Sequence, residues 1–186
     1  MLRSCLVLLL TCSAAPLVAA PQSRPQPTPN PQINYSGFRQ LTDEVEALRA
    51  TRLISWADFV AAAREPDVLI LDARSERQFA RGHIAGAVNL PLPEFSVEAL
   101  AEIIGRTDRP ILIYCNNNFS NDRPPVMLKS GPVALNIPTF IHLVAYGYRN
   151  IRELDDRIDM DDPRIPWVTS AEEARASGSP AAARAR

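Results

Sequence analysis

The sequence contains little cysteine and little histidine. Of its three cysteines, only Cys115 lies outside the first twelve residues, and its two histidines, His83 and His142, stand far apart. This spacing does not provide the clustered ligands of a metal site, so we expect no metal and no other cofactor. If the first residues are removed as a signal, the single remaining cysteine also excludes an intramolecular disulfide.

An excess of one charge and a long hydrophobic run are also missing. The formal net charge is -1 at pH 7, so no strong electric field attracts the chain to nucleic acid or to a membrane surface. The apolar run at residues 6–10 is too short for a membrane span. We therefore predict neither nucleic-acid binding nor an integral membrane segment.

The first 20 residues have the features of a secretory signal. Arg3 supplies a basic start, residues 6–10 form the apolar centre, and Val18-Ala19-Ala20 fits a small-residue cleavage site. The expected destination is the periplasm. Leu9-Leu10-Thr11-Cys12 is a weaker signal for lipoprotein anchoring, which remains the minor alternative because the bulky Thr11 precedes that cysteine.

Three further segments lie outside the main domain. The Pro- and Gln-rich residues 21–32 are predicted to be a linker. Residues 33–50 show an amphipathic pattern that predicts a helix packed on the domain, with Thr42 as its N-cap. Residues 169–186 lack large apolar side chains and are predicted to be a disordered tail.

Between these segments, over residues 51–168, strand patterns alternate with helix patterns. Helices with Ser55, Ser75 and Ser96 at their starts separate the short apolar runs, and a later helix pattern ends near Gly147. The alternation predicts an α/β fold with a mainly parallel sheet and helices on both faces. The predicted strands are residues 52–54, 68–71, 87–90, 111–114 and 151–154.

Cys115 follows the apolar strand Ile111-Leu112-Ile113-Tyr114, which has the pattern of a buried strand at the centre of a parallel sheet. In open parallel sheets, ligands and chemistry collect at the carboxyl ends of the strands. A lone cysteine is most often a small buried hydrophobic residue. Its position at a strand end, before a polar loop, favours instead a reactive thiol.

Two motifs upstream of this strand match a family pattern. The first is Leu71-Asp72-Ala73-Arg74, followed by Glu76 and Phe79, and the second is Gly82-His83-Ile84-Ala85-Gly86-Ala87-Val88-Asn89-Leu90-Pro91. They resemble the rhodanese-like domain of the sulfurtransferase superfamily, which has a strand ending in Asp-x-Arg, an acidic-aromatic helix and a Gly-His-Ile-x-Gly-Ala-x-Asn-Ile-Pro segment. Downstream, that family has a strand that ends in a cysteine.

The resemblance implies sulfurtransferase chemistry at Cys115. The cysteine would attack a small anionic sulfur donor such as thiosulfate, hold a persulfide, and pass the outer sulfur to a thiol or cyanide-like acceptor. Because the thiolate is the nucleophile, we expect a thiol pKa below the roughly 8.5 of a free cysteine. The sequence does not identify a protein partner.

The segment after Cys115 departs from the family pattern, in which a tight loop leads at once into a helix. Here no helix easily begins before Val133 or Pro138, so the loop is predicted to be expanded. Consecutive asparagines either form a nest of N–H groups around the sulfur or an ordinary polar turn, and both interpretations stay open. The candidate substrate-binding residues are Asn116, Asn117, Asn118, Phe119, Ser120 and Arg123.

Asp72, Arg74 and His83 are predicted to support the structure. Asp72 and Arg74 end a strand in the same layer as Cys115, where a buried ion pair that holds the loop is expected. In the family pattern His83 lies on a turn away from the thiol.

Two other functions compete with sulfur transfer. One is a catalytically weak or inactive binding module that presents the expanded loop to a partner. The other is a thiol phosphatase, which is disfavoured because Asn121 stands where its Cys-x5-Arg motif needs the arginine that clamps phosphate.

Overall fold

A computed structural model describes residues 30–176, and its compact unit begins at Tyr35. The predictions of a signal at 1–20, of most of the linker and of the end of the tail lie outside the described residues. The helices are Tyr35–Ala50 (α1), Trp56–Ala62 (α2), Glu76–Arg81 (α3), Val97–Ile103 (α4), Asn136–Ala145 (α5) and Ser170–Ala176 (α6). The strands are Leu53–Ile54 (β1), Leu69–Asp72 (β2), His83–Ile84 (β3), Ala87–Asn89 (β4), Ile111–Tyr114 (β5), Ile151–Leu154 (β6) and Trp167–Val168 (β7).

Five strands form one parallel sheet in the order β1-β6-β5-β2-β4. Strand β5 occupies the centre, and all four of its residues are buried, because an apolar strand is most stable when it is covered on both faces. The predicted α/β fold with a mainly parallel sheet is confirmed. Cys115 lies directly after β5, at the carboxyl edge of the sheet.

The alternation of side chains along β5 divides the core into two layers. Ile111 and Ile113 face a cluster that includes residues of α1, α4 and α5. Leu112 and Tyr114 face the opposite cluster, which includes residues of α2 and Trp167. Since successive strand residues point to opposite faces, a central strand with four apolar residues requires helices on both sides.

A second, two-stranded antiparallel sheet joins β3 to β7, with Ile84 opposite Trp167. Gly82 precedes this pair, and a Cβ at that position would lie 2.4 Å from the Trp167 indole nitrogen. The close approach explains why glycine stands there: any side chain would displace the tryptophan from the core.

The first helix differs from its prediction at its start. Thr42 is not the N-cap, because α1 begins at Tyr35 and Thr42 lies inside it, where its hydroxyl donates to the Phe38 carbonyl at 2.8 Å. The predicted packing of the helix on the domain is present, since Val45 is buried in the core. Within residues 30–176, no helix is long and apolar enough to cross a membrane.

The predicted disordered tail is wrong for its first residues, because Ser170–Ala176 is helical. The Thr169 hydroxyl and the Glu172 carboxylate cap the helix start reciprocally, at 3.2 Å and 2.7 Å from the backbone nitrogens of Glu172 and Thr169. Glu173 then reaches the domain and accepts a hydrogen bond from the Gly86 backbone at 3.1 Å. The capping bonds and the Glu173 contact explain why Ser170–Ala176 is helical although it has little apolar surface to bury.

Candidate active site

The Cys115 sulfur lies in a pocket of backbone N–H groups. The Asn117 N–H donates to Sγ at an N–S distance of 3.3 Å. The backbone N–H groups of Asn136 and Leu135, at the start of α5, also favour the anionic form of the sulfur. Only 1 % of the Cys115 surface is exposed. Backbone donors around a sulfur favour its anionic form, whereas burial favours the neutral thiol.

Burial is the stronger influence, and it raises the pKa of the Cys115 thiol. The carboxylate of Glu153 raises it further, while the N–H groups of Asn117, Asn136 and Leu135 lower it. The expectation of a lowered pKa is therefore wrong for this conformation. The oriented amides that it relied on are present, but removal of the thiol from water outweighs them.

Asn116, Asn117 and Asn118 form a short 3-10 helix. Of their backbone amides, that of Asn117 donates to the sulfur, while that of Asn118 donates to the Cys115 carbonyl at 3.1 Å. The segment is thus a polar turn that places one N–H group on the sulfur, and it combines features of both interpretations left open by the sequence.

The side chains of Asn116 and Asn117 fasten the returning loop. The Asn116 amide donates to the Met127 carbonyl at 2.7 Å. Asn117 exchanges two hydrogen bonds with the backbone of Lys129, at 2.7 Å and 3.1 Å. Residues 127–129 are thereby held against the turn that carries the thiol, and these two side chains hold the loop.

Asn118 joins three segments beneath the sulfur. Its Oδ1 accepts from the Cys115 backbone at 2.9 Å and from the Asn136 side chain at 3.0 Å. Its amide group donates to the carbonyls of Leu154 and Asp156, at 2.6 Å and 3.3 Å. With donors and acceptor all engaged, Asn118 fixes the geometry of the site.

Phe119, Ser120 and Arg123 contact parts of the chain other than the thiol. Phe119 is fully buried, and its ring lies 5.0 Å from that of Trp167. Ser120 bonds to the Ile158 carbonyl through its backbone at 2.9 Å. Arg123 forms an ion pair with Asp161 at 2.6 Å. Phe119 therefore packs in the core, while Ser120 and Arg123 hold the outer loop. None of these contacts supports the predicted binding of substrate by the three residues.

The Asp72–Arg74 pair is buried, as predicted. The guanidinium contacts the Asp72 carboxylate at 2.6 Å and also donates to the Gly82 and Pro125 carbonyls, at 2.9 Å and 3.4 Å. The Tyr114 hydroxyl donates to Asp72 at 2.6 Å. The pair therefore ties the end of β2 both to the Gly82 turn and to the loop after the thiol.

His83 is buried on β3, where its ring stacks on Phe79 with centroids 3.6 Å apart. One ring nitrogen pairs with the Phe79 carbonyl at 2.8 Å and the other with the Glu173 carboxylate at 3.1 Å. Its hydrogen bonds connect α3 to α6. Within residues 30–176, no group of His, Cys, Asp and Glu side chains is arranged to hold a metal ion.

Sequence reasoning missed three residues next to the thiol: Arg49, Asn136 and Glu153. The Glu153 carboxylate, 2 % exposed, accepts two hydrogen bonds from the Arg49 guanidinium, at 2.6 Å and 2.5 Å, and one from the Asn136 side chain at 3.0 Å. The signal that points to Glu153 is a carboxylate inside the apolar strand pattern 151–154. Such a charge is costly to bury unless it has a partner.

The family model for the rhodanese-like domain matches residues 55–156, more than half of the chain. The chain belongs to the rhodanese-like domain family. The matched segment of this rhodanese-like chain begins after α1 and ends two residues beyond β6.

Curated relatives share part of this domain. YqhL of Bacillus subtilis, described as uncharacterized, is 32% identical over 81 residues, which are 44% of this chain and 60% of YqhL. The HTH-type transcriptional regulator Rv0324 of Mycobacterium tuberculosis is 27% identical over 103 residues, 55% of this chain and 38% of the regulator. The rhodanese-like chain thus aligns with only part of the length of each relative.

A solved structure of a rhodanese with anions from E. coli is 21% identical to this chain. The alignment covers 55% of the chain and 99% of the solved chain, with a TM-score of 0.37.

A groove of about 1080 Å³ lies beside the thiol pocket of the rhodanese-like domain. Arg74, Arg77, Asn89 and Leu135 contribute to its lining. Leu135 belongs to both places, since its backbone N–H acts on the Cys115 sulfur. Leu135 therefore lies between this groove and the buried thiol pocket.

Proposed function

We propose that this chain is a rhodanese-type sulfurtransferase that forms a persulfide on Cys115. The observation that carries the proposal is the position of the thiol: it ends the central strand of a rhodanese-like domain, and its sulfur accepts an N–H from Asn117. Backbone donors at this position favour the anionic form of the sulfur.

The proposed reaction has two displacement steps. The Cys115 thiol first loses its proton to solvent, and the thiolate attacks the outer sulfur of thiosulfate. A new S–S bond forms to Cys115, while the S–S bond of thiosulfate breaks and sulfite leaves with the electron pair. A thiophilic acceptor such as cyanide then attacks the outer sulfur, thiocyanate departs, and the Cys115 thiolate is regenerated.

Access to the thiol is the step that this conformation requires before chemistry. With 1 % of the cysteine surface exposed, a donor cannot reach the sulfur until the surrounding chain opens. We expect the hydrogen bonds that join residues 127–129 to Asn116 and Asn117 to break in that opening. Opening also hydrates the thiol, which lowers its pKa toward the range in which a thiolate forms near neutral pH. We therefore expect slow turnover that is limited by loop opening.

A binding module that lacks turnover is the second candidate function. The observations that favour it are the burial of the thiol, its raised pKa, and the exposure of Met127 and Leu128 on the loop that is bonded to Asn116 and Asn117. Exposed apolar side chains on such a loop suit a protein partner. In this alternative, Cys115 contributes only to packing.

Thiocyanate release distinguishes the two functions. The full chain is mixed with thiosulfate and cyanide, and thiocyanate is measured against time beside the Cys115→Ser variant. The sulfurtransferase proposal predicts thiocyanate from the parent chain and none above background from Cys115→Ser. Far-ultraviolet circular dichroism must show that the variant keeps the fold. Equal background rates for both proteins, at high thiosulfate, would contradict the proposal and favour the binding module.

The proposed location is the periplasm, and it rests on the sequence of residues 1–20. The test is amino-terminal sequencing of protein recovered from separated cell fractions. A mature chain that begins near Pro21 in the periplasmic fraction supports export. Intact Met1 in the cytoplasmic fraction contradicts it, and a lipid on Cys12 would establish the anchoring alternative.

A further inference from the structure

Glu153 places a buried negative charge beside a thiol that must become an anion. Glu153 of β6 lies opposite Ile113 of β5 in the parallel register. Ile113 stands two residues before Cys115. A carboxylate near a sulfur disfavours the thiolate because two like charges would share a site of low dielectric constant. A sulfur-transfer site with Glu153 therefore needs a compensating cation.

Arg49 is that cation. Its guanidinium binds the Glu153 carboxylate through two parallel hydrogen bonds, of 2.6 Å and 2.5 Å. This fork geometry is stronger and more directional than a single contact with lysine would be. The Arg49 side chain is 33% exposed, so one end of the pair reaches solvent while the carboxylate stays buried.

Asn136 connects the ion pair to the sulfur. Its side-chain amide donates to Glu153 and to Asn118, both at 3.0 Å, and its backbone N–H acts on the Cys115 sulfur. The Asn136 Oδ1 atom is buried without a hydrogen-bond partner among the described residues. An orphaned acceptor of this kind is costly, and we attribute its retention to the orientation that the two donated bonds impose on the start of α5.

We infer that Arg49 and Glu153 act as a positioning pair for the Cys115 thiol, with Arg49 cancelling the charge of Glu153 and the pair fixing Asn136 so that the sulfur accepts the α5 amides. Arg49 belongs to α1, which precedes the matched family segment 55–156. The amino-terminal helix is thus part of the site. The inference rests on the proposed function in assigning Cys115 as the reacting group.

Apart from the thiol, the charged groups around the pair come from α1 and from the residue that follows β6. Glu46 of α1 lines a cavity of about 240 Å³ together with Arg49 and the apolar Ile137 and Ile141 of α5. The hydrogen bond to Glu153 raises the pKa of Arg49, and the charges of Asp155, after β6, and of the thiolate raise it further. These neighbours keep Arg49 charged throughout the pH range in which the thiol titrates. The charge that changes in that range is the one on the sulfur.

The test measures the alkylation rate of Cys115 against pH in the full chain, with iodoacetamide as the probe and no sulfur donor. Arg49→Met leaves Glu153 uncompensated and is expected to raise the midpoint by about one pH unit. Glu153→Gln keeps an oxygen for Asn136 but removes the negative charge, so it is expected to lower the midpoint by about one pH unit. A purely structural role would not produce shifts of opposite sign.

Arg149→Met is the matched control. Arg149 forms an exposed ion pair with Glu44, which belongs to α1 as Arg49 does, and it forms no ion pair with Glu153 among the described residues. Its midpoint is expected to equal that of the parent chain. If Arg49→Met does not fold, Glu153→Gln decides alone. An unchanged or higher midpoint in Glu153→Gln, or equal shifts in Arg49→Met and Arg149→Met, would overturn the inference.

Alkylation separates this inference from the proposed function. A chain that shows the opposite midpoint shifts but releases no thiocyanate keeps the positioning pair and loses the sulfurtransferase proposal. A chain that releases thiocyanate while its midpoints do not move keeps the sulfurtransferase and loses the pair.

Discussion

Two arginine–carboxylate pairs, each with a buried carboxylate, lie near the carboxyl edge of the same sheet, and they differ in construction. Asp72 and Arg74 stand two residues apart, and both are almost completely buried. Arg49 and Glu153 are 104 residues apart, and the arginine is one-third exposed. The first pair forms within a local turn, so the residues next to it in sequence determine its geometry. The second is made by the packing of α1 on the domain, so it depends on the complete fold.

The polar groups near each pair differ as well. The side chains of Asp72 and Arg74 bond to each other, to the Tyr114 hydroxyl of β5, and to the carbonyls of Gly82 and Pro125. On the thiol side, Asn116 Oδ1, Asn136 Oδ1 and Thr139 Oγ1 are buried without a partner among the described residues. Unpaired buried groups lower stability. The difference indicates that the Arg74 side stabilises the domain, while the thiol side accommodates the site.

Arg74→Met tests the stabilising side and has the largest expected effect. The change leaves Asp72 charged, buried and without its arginine, which should lower the free energy of unfolding by about 3–5 kcal/mol. Urea unfolding followed by circular dichroism measures it. Arg164→Met is the control, because that arginine pairs with Asp162 at the exposed surface, and no measurable change is expected. Equal stabilities for both variants would remove the contrast between the two sides.

Phe119→Ala examines whether Phe119 belongs to the core or to a substrate site. Its ring is fully buried between Tyr114 and Trp167, so its removal should cost about 3 kcal/mol of unfolding free energy. Phe38→Ala, at an exposed position on α1, should change stability little. The same urea experiment compares them. A small effect of Phe119→Ala on stability, together with lost sulfur transfer, would return Phe119 to the substrate site.

Glu173→Ala measures how firmly α6 holds to the domain. The carboxylate bonds to the His83 ring and to the Gly86 backbone, at 3.1 Å each. Since the side chain is 41% exposed, we expect a loss of about 1 kcal/mol. Glu102→Ala, exposed on α4, is the matched control. Proteolysis near residue 170 should also become faster in Glu173→Ala, and an unchanged cleavage rate would argue against docking through this contact.

The pH dependence of stability gives the smallest expected effect. Burial raises the pKa of Cys115 above its unfolded value, so the folded state binds the proton more tightly. The stabilisation is fully present below roughly pH 8.5, the pKa of a free thiol, and is lost as the pH rises through the folded pKa. Urea midpoints should fall across this alkaline range, and Cys115→Ser should fall less. Parallel curves for the two proteins would show that the thiol is not buried in solution.

The sequence was informative where the structure is local. The apolar strand before Cys115 and the motifs around Asp72 and Gly82 depend on neighbouring residues, and they predict the parallel sheet and its carboxyl edge. The Asp72–Arg74 pair follows for the same reason. The short helix α6 was missed because its order comes from the capping of Thr169 and the docking of Glu173, which composition does not reveal.

The thiol site was less predictable because distant segments build it. Arg49 reaches Glu153 across 104 residues, and the returning residues 127–129 accept hydrogen bonds from the side chains of Asn116 and Asn117, which follow the thiol. Neither contact is encoded in local periodicity. The predicted direction of the Cys115 pKa was therefore wrong: the sequence shows the polar residues after the thiol but not the packing that removes the thiol from water.

The central claim is that Cys115 carries sulfur, and mass spectrometry of the intact chain after thiosulfate treatment tests it most directly. The account predicts a gain of one sulfur atom, located by digestion on the peptide that contains Cys115, and its loss with thiocyanate release when cyanide is added. The Cys115→Ser variant should gain none. An unchanged mass at saturating thiosulfate, in a sample whose thiol still alkylates after unfolding in urea, would contradict the claim.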